Sequence, residues 1–240
     1  MSLLAVEGLS RSFAGLRAVS DVSFTVAEGT ITALIGPNGA GKTTCFNLIA
    51  GVLRPSAGRV WFAGQEVTGL PPEDLCRRGI GRTFQIVRPM PELTVLENAM
   101  VGAFARERRR AAAEAVARAA LARVGLSHKA EMRAADLTLP DRKMLEVARA
   151  LATRPRLLLL DEVMAGLRPG EAAAIVSSLR AVNAEGVTIL MIEHVMRVVM
   201  ALAHHIVVLH HGEKIAEGPP QEVTRDPAVI RSYLGRRGVA

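Results

Sequence analysis

The residues best suited to chemistry form one glycine-rich stretch near the start of the chain. It reads Gly36-Pro37-Asn38-Gly39-Ala40-Gly41-Lys42-Thr43. An apolar run, residues 31–35, precedes it, and a run that favours a helix begins at Thr44. A phosphate-binding loop needs this order, because glycines let backbone N–H groups curve around phosphate oxygens and the helix N-terminus adds unpaired donors. The stretch therefore predicts that the chain binds a nucleoside triphosphate.

Each residue of this loop has an expected part in binding. We expect Lys42 to reach the β- and γ-phosphates and Thr43 to place its hydroxyl on Mg²⁺. The other residues expected around the phosphates are Gly36, Pro37, Asn38, Gly39, Ala40, Gly41 and Thr44. A glycine turn that binds nothing is the alternative, and the complete spacing between strand and helix disfavours it.

A second group of chemically capable residues follows four consecutive leucines, residues 157–160. The leucines predict a buried strand whose carboxyl end delivers Asp161 and Glu162 to the edge where α/β sheets bind ligands. We expect Asp161 to hold Mg²⁺ and Glu162 to act as general base on an attacking water. Such a strand is often only a strand that meets solvent, but together with the glycine-rich loop it predicts hydrolysis of the triphosphate.

A third group ends another apolar run, residues 187–192, with Glu193 and His194. Placed there, His194 could donate a hydrogen bond to the γ-phosphate. A histidine is more often structural, but its position directly after a second buried strand favours the functional interpretation.

The composition limits the class of protein. The chain has 240 residues, half of them hydrophobic and only 3% aromatic, so Ala, Val and Leu must fill the core. The net charge of +7 suits a nucleic acid, an anionic membrane surface or an acidic partner equally. The two cysteines, Cys45 and Cys76, offer neither a disulfide framework nor a metal-binding spacing, which fits a reducing cytosol, and Cys45 is expected in the core.

Neither a signal peptide nor a membrane-spanning segment is predicted. The first residues lead straight into a strand pattern, and no apolar run reaches the roughly 18 residues that a spanning helix requires. We therefore expect a protein that is itself soluble and reaches a membrane only through partners.

The pattern of elements predicts an α/β fold over a single domain, residues 1–240. Buried apolar strands alternate with helices, expected at residues 143–153 and 171–185, which implies a parallel sheet covered on both faces. Residues 206–209 and 214–217 flank Gly212 as the strands of a hairpin would.

Residues from about 86 to 136 predict a helical insert in this domain. A helix is expected to begin near Thr94, and an Ala/Arg-rich stretch, residues 106–124, favours another helix. Four of its arginines, Arg106, Arg108, Arg109 and Arg110, form either a solvated helix face or a contact for anionic lipid or a partner.

Gln85 follows a short predicted strand. The order and spacing of the glycine-rich loop, Gln85, Asp161-Glu162 and His194 resemble those of ATP-binding cassette (ABC) ATPases, and the similarity spans nearly the whole chain. Three further stretches are similar to the ATPase subunits of branched-chain amino acid importers. They are Gly81-Arg82-Thr83-Phe84-Gln85, Ile192-Glu193-His194-Val195-Met196 and Asp226-Pro227-Ala228-Val229-Ile230-Arg231-Ser232-Tyr233-Leu234-Gly235.

The resemblance implies a P-loop NTPase fold with a mainly parallel sheet, an antiparallel β subdomain and a helical insert. It implies that Phe13 stacks on adenine, that Gln85 contacts Mg²⁺ and senses the membrane subunit, and that His194 is the switch histidine. The helical insert would form the groove in which the membrane subunit docks.

The resemblance also implies cofactors, partners and location. ATP and Mg²⁺ are the expected cofactors, and the expected partners are integral-membrane permease subunits, a second ABC ATPase and, indirectly, a periplasmic solute-binding protein. Nucleic acid is not an expected partner. The chain would work at the cytoplasmic face of a bacterial inner membrane. The cargo stays open among leucine-like amino acids, urea, amides and other small solutes.

The sequence departs from the family where a Leu-Ser-Gly-Gly-Gln type signature is usual. It reads Leu137-Thr138-Leu139-Pro140-Asp141-Arg142, and residues 163–168 also differ from the common pattern. In the family this signature contacts the γ-phosphate held by the opposite subunit. A side chain at Leu139, a missing N–H at Pro140 and a charge at Asp141 each weaken anion binding. A heterodimer with a second cassette is therefore favoured; a homodimer, with Thr138 and backbone donors sufficing, remains the alternative.

Two other functions remain as alternatives. The basic charge suits a nucleic-acid-linked ABC ATPase of repair or translation, but neither a long coiled-coil insert nor a duplicated cassette is present in the sequence. A nucleotide-binding regulatory subunit that does not hydrolyse is disfavoured by Glu162 and His194.

Overall fold

The computed structural model describes residues 2–83 and 89–234. Its chain divides into two compact units. Unit 1 comprises Met1–Leu75 and Thr188–Ala240, and unit 2 comprises Cys76–Val187. Gln85, to which a Mg²⁺ contact was assigned from the resemblance, lies outside the described residues, as does Phe84.

Unit 1 contains an antiparallel sheet built around a long hairpin. Its strands are β1 (Ser2–Phe13), β2 (Leu16–Ala27), β4 (Ala57–Phe62) and β5 (Gln65–Glu66), in the order β2-β1-β4-β5. Along β2, Val22, Phe24 and Val26 are buried while the residues between them are exposed, as period-two alternation requires.

Unit 1 also contains parallel strands that are mainly apolar. They are β3 (Ile31–Ile35), β8 (Thr188–Ile192) and β9 (His205–His210), with β10 (Glu213–Gly218) antiparallel to β9. Every residue of β3 and β8 is buried, which fits strands covered on both faces. The predicted hairpin at Gly212 is confirmed, because His210 pairs with Glu213 across a two-residue turn.

The described residues of unit 1 contain four complete helices. They are α1 (Lys42–Ile49), α7 (Met196–Leu202), α8 (Pro220–Val223) and α9 (Pro227–Leu234). Another helix, α2 (Pro72–Arg78), contains the point at which the two units divide. Cys45 on α1 is fully buried, and this burial raises the pKa of its thiol to about 12, so it is the core residue that was expected.

The described residues of unit 2 include two parallel strands and four complete α-helices. The strands are β6 (Ile80–Arg82) and β7 (Leu157–Asp161). The helices are α3 (Val95–Ala103), α4 (Arg110–Arg123), α5 (Leu139–Ala152) and α6 (Pro169–Ala184). The predicted start of α3 is confirmed by a capping box, in which Thr94 and Glu97 exchange side-chain and backbone hydrogen bonds of 2.9 and 3.1 Å.

Two predicted helix starts are wrong. The Ala/Arg-rich helix begins at Arg110 instead of Arg106, because the N–H groups of Arg106 and Glu107 donate to the Ala103 carbonyl oxygen (3.0 and 2.9 Å) in the turn that ends α3. Helix α5 begins at Leu139 instead of residue 143, because Thr138 caps it and a proline is tolerated in a first helical turn.

Among residues 2–83 and 89–234, none of the helices combines the length and the apolar character that crossing a bilayer demands.

Candidate nucleotide-binding site

The glycine-rich loop of unit 1 is shaped by backbone that side chains would obstruct. Gly36, Gly39 and Gly41 have φ angles of 150°, 78° and 95°. A Cβ on Gly36 would collide with the carbonyl oxygen of Leu209, and one on Gly41 with the carbonyl oxygen of Ala18. The loop therefore adopts this path only with glycine at these positions.

Lys42 opens helix α1 directly after this loop and is buried. Its ammonium group donates to the carbonyl oxygens of Gly36 (2.8 Å) and Pro37 (2.9 Å), so it bridges the mouth of the loop. The next residue, Thr43, is exposed, which leaves its hydroxyl accessible. Helix α1 is preceded by a glycine, so no side-chain oxygen of its N-cap competes for its first N–H groups.

Phe13 lies at the end of β1, where the hairpin turns into β2. Its ring is 40% exposed, and the Arg11 guanidinium lies 4.8 Å from the ring centroid. The same hairpin supplies Ala18, whose carbonyl oxygen packs against Gly41. Unit 1 therefore brings the hairpin that carries Phe13 beside the glycine-rich loop.

His194 lies at the same sheet edge as the loop. Strands β3 and β8 are parallel and pair Leu34 with Ile192, so both chains leave the sheet at one edge. The His194 side chain is exposed, while Glu193 is buried and accepts hydrogen bonds from the backbone N–H groups of His194 (3.1 Å) and Val195 (3.4 Å). Glu193 thus holds the turn that presents His194.

Tyr233 on α9 reaches the start of the glycine-rich loop. Burial raises the pKa of its phenol above the ordinary value, and a hydrogen bond with the backbone of Gly36 opposes that shift. The roles of Tyr233 and Glu193 were not predicted. A carboxylate directly after a fully apolar strand was a usable signal for Glu193, whereas the contact of Tyr233 joins residues almost two hundred positions apart.

In unit 2, Asp161 is held at the carboxyl end of β7. It is buried, its carboxylate lies 3.5 Å from the Arg82 guanidinium, and its N–H donates to the Thr83 hydroxyl at 3.3 Å. Burial lowers the pKa of Arg82, and the Asp161 carboxylate opposes that shift. Arg82 and Thr83 lie in a stretch noted only for its resemblance, and their contacts with Asp161 were not predicted.

Glu162 follows Asp161 in an unusual backbone conformation. Its φ is +48°, in the left-handed region that costs a non-glycine residue roughly 1–2 kcal/mol. The Lys143 ammonium, on the buried part of α5, donates to the Glu162 carbonyl oxygen at 3.3 Å. Strain of this kind persists where the surroundings hold it, and it concentrates at functional sites.

The residues assigned to Mg²⁺ have suitable chemistry. Thr43 offers a hydroxyl and Asp161 a carboxylate, and both are the oxygen ligands that this ion prefers. In the part of the chain that the structure describes, no three His, Cys, Asp or Glu side chains are grouped so that they could hold a metal ion. A Mg²⁺ site with few protein ligands is usual, because water and phosphates complete its coordination.

Comparison with protein families finds two matches. The model described as "ABC transporter" matches residues 19–165. The model described as "Branched-chain amino acid ATP-binding cassette transporter" matches residues 213–239, which include α8 and α9.

Curated relatives match over almost their full length. "High-affinity branched-chain amino acid transport ATP-binding protein LivG" of Salmonella typhimurium is 42% identical, over 97% of this chain and 98% of the relative. "High-affinity branched-chain amino acid transport ATP-binding protein BraF" of Pseudomonas aeruginosa is 41% identical over the same shares.

Solved structures share the fold. A nucleotide-free ATP-binding cassette from an ABC transporter has a TM-score of 0.90 at 34% identity, over 98% of this chain and 100% of the other. The ADP conformation of MJ1267, an ATP-binding cassette, gives the same TM-score and identity over 98% and 99% of the two chains. The predicted mainly parallel sheet, antiparallel β subdomain and helical region are thereby confirmed.

Proposed function

The chain belongs to the ABC transporter family, among its branched-chain amino acid ATP-binding proteins, and from this premise we propose that it hydrolyses ATP to drive import. The resemblance noted in the sequence is thus confirmed at the level of the family. ABC transporter ATPases as a family couple hydrolysis to transport; the roles of individual residues in this chain are part of the proposal.

The observation that carries the proposal is the loop around Lys42. Gly36 and Gly41 pack where side chains cannot fit, and the Lys42 ammonium already spans carbonyl oxygens of the loop at 2.8 and 2.9 Å. A triphosphate that enters would offer stronger, charged acceptors to the same ammonium and to the N-terminus of α1. The loop is therefore organised for phosphate binding before the nucleotide arrives.

The proposed binding chemistry divides among residues that the sequence motifs and the family resemblance assign. Lys42 neutralises the β- and γ-phosphates, Thr43 and Asp161 hold Mg²⁺, and the exposed ring of Phe13 stacks on adenine. Gln85, which lies outside the described residues, is assigned a Mg²⁺ contact from the family resemblance alone.

The hydrolytic step is assigned to Glu162 and His194. The Glu162 carboxylate accepts a proton from water as the water oxygen attacks the γ-phosphorus, and the bond to the β-phosphate oxygen breaks, giving ADP and phosphate. His194 donates a hydrogen bond to the γ-phosphate from the turn that Glu193 holds.

The proposed cargo is a branched-chain amino acid or a related small polar solute. Both LivG of Salmonella typhimurium and BraF of Pseudomonas aeruginosa are described as branched-chain amino acid transport ATP-binding proteins. The chain would drive permease subunits from the cytoplasmic face of the membrane, and a periplasmic solute-binding protein would deliver the cargo to those subunits.

The proposed ATPase partner is a second, different cassette. A dimeric ABC cassette is among the solved structures that share the fold, with a TM-score of 0.81. In such a pair each nucleotide would face the signature segment of the other chain. Residues 137–142 of this chain depart from the family pattern, so a partner with an intact signature would complete the site at Lys42, Asp161 and Glu162.

The test is ATP turnover by the chain assembled with its permease and cassette partners in proteoliposomes. We expect Glu162→Gln to lower turnover by roughly 100-fold or more, because the amide cannot accept the proton of the attacking water. Glu66→Gln is the matched control, since it removes one carboxylate from an exposed position on β5, and we expect unchanged turnover.

Equal turnover of the wild type and Glu162→Gln would refute the assigned hydrolysis and favour a nucleotide-binding subunit that only regulates. Salt-sensitive binding of the chain to DNA, without co-purifying hydrophobic subunits, would instead favour the nucleic-acid-linked alternative.

A further inference from the structure

The N-terminus of helix α5 contains a compact cluster of three polar side chains. Thr138 is the N-cap, and its hydroxyl donates to the Asp141 carboxylate at 2.5 Å. The Lys129 ammonium donates to the same carboxylate oxygen at 2.6 Å. All three residues belong to unit 2, and Thr138 and Asp141 lie in the segment that departs from the family signature.

In this cluster the Thr138 hydroxyl is already engaged in a hydrogen bond, although a working signature would need it to contact phosphate. A threonine hydroxyl has one proton to donate, and here that proton is directed at Asp141. Pro140, the second residue of the helix, has no N–H to offer. Two donors that a helix N-terminus could present to a phosphate are thus absent or already engaged.

The charge of the cluster is also balanced internally. Burial by itself would raise the pKa of Asp141, but hydrogen bonds from Lys129 and Thr138 outweigh this effect and hold the pKa below its ordinary value. The carboxylate is therefore ionised at neutral pH and neutralises the Lys129 ammonium. A phosphate that approached this helix would meet a carboxylate together with the 47% exposed side chain of Leu139.

We propose that Asp141 is a built-in substitute for phosphate at the N-terminus of α5, which prevents this segment from completing a hydrolytic site on ATP carried by another cassette. The proposal rests on the proposed pairing of two cassettes. It gives a direct cause for the asymmetry of that pair, because the anion-binding groups exist in this chain but are occupied by its own carboxylate.

Replacing Asp141 by Asn tests whether the charge of this carboxylate keeps Lys129 and Thr138 from contacting a phosphate. Asparagine keeps the size of the side chain but removes its charge, so it holds the Lys129 ammonium and the Thr138 hydroxyl less strongly and leaves both able to turn toward a phosphate. A charge-assisted hydrogen bond to phosphate contributes about 1.5–3 kcal/mol, so the released groups should strengthen the contact about tenfold or more.

The experiment measures association of the full chain with itself, since each copy would then face the signature segment of the other. Glu162→Gln serves as background so that ATP is not consumed, and light scattering after size exclusion reports molar mass across a titration of ATP with Mg²⁺. We expect Glu162→Gln/Asp141→Asn to reach twice the chain mass at an ATP concentration about tenfold lower than Glu162→Gln alone.

The matched control is Asp136→Asn in the same background. Asp136 is an exposed carboxylate five residues earlier, at the end of a short 3-10 helix, and its removal should leave the titration unchanged. An equal shift with Asp136→Asn would mean that net charge alone matters, and it would overturn the proposal.

A third variant tests the released ammonium. We expect Lys129→Met to cancel the gain of Asp141→Asn. The phosphate would take the place of the carboxylate, but it would then have no ammonium to pair with. Asp141→Gln gives a second form of the neutral variant if Asp141→Asn proves unstable in a thermal melt.

The proposal is overturned if the neutral variants and the background chain behave alike, whether both stay single chains or both associate at one ATP concentration. Association is measured instead of turnover or import, and repeating the titration with a non-hydrolysable ATP analogue keeps the result independent of the hydrolysis assigned to Glu162.

Discussion

Gly39 and Gly41 belong to the same loop and both have left-handed backbone, yet their surroundings differ. A Cβ on Gly39 would meet nothing within 4 Å, whereas one on Gly41 would collide with the Ala18 carbonyl oxygen. The loop is therefore constrained by conformation at one glycine and by conformation plus packing at the other.

At the residue scale we expect Gly41→Ala to destabilise the nucleotide-free protein more than Gly39→Ala. Both variants incur roughly 1–2 kcal/mol for a side chain in the left-handed region. Gly41→Ala adds about 1–3 kcal/mol because the hairpin backbone must move away. Urea unfolding without nucleotide measures the difference, and equal midpoints for the two variants would contradict the packing described for Gly41.

Several candidate roles were assigned from residue type and position alone. Lys42 and Asp161 were assigned from motifs whose chemistry is local, and both occupy the expected ends of elements. Arg82 and Tyr233 were not assigned, because their contacts depend on partners brought close by folding.

At the scale of elements, Gly102 on α3 marks a close helix crossing. An added Cβ would collide with the Arg149 carbonyl oxygen on α5 and approach the Cβ of Ala152 to 3.2 Å. Both helices belong to unit 2, and their backbones are in contact at this point because glycine has no side chain.

We expect Gly102→Ala to lower the free energy of unfolding by roughly 1–3 kcal/mol, because the two helices must separate. Gly170→Ala is the control: Gly170 lies in the first turn of α6 with nothing within 4 Å of an added Cβ, so we expect a gain of about 0.4–1 kcal/mol. Thermal melts compare the two. A neutral Gly102→Ala would show that α3 and α5 can move apart without cost.

The starts of α4 and α5 show how hydrogen bonds at helix ends override helical propensity. Arg106 has good helical propensity, but its N–H and that of Glu107 donate to the Ala103 carbonyl oxygen in the turn that ends α3, and α4 begins four residues after Arg106. Leu139 and Pro140 look like a helix breaker, yet Thr138 caps them into the first turn of α5. Element existence was predictable here, and element boundaries were not.

At the scale of the whole molecule, the proposed pairing has a kinetic consequence. If the segment that begins α5 does not complete a site, copies of this chain alone should turn over ATP about tenfold or more slowly than the chain assembled with its partner cassette. Phosphate release, measured at equal concentrations of this chain, compares the two turnover rates. Comparable rates would refute the expectation of a different ATPase partner.

The sequence by itself determined the family and the fold, and it predicted which residues would form the site. These properties depend on short-range order: a glycine turn between strand and helix, carboxylates after apolar strands, and alternating elements. Tertiary structure alone decided that Arg82 contacts Asp161, that Tyr233 reaches Gly36, and that Lys129 binds Asp141. Such contacts join residues whose separation in the chain carries no periodic signal, so only the folded packing could reveal that the signature segment of this chain is filled by its own carboxylate.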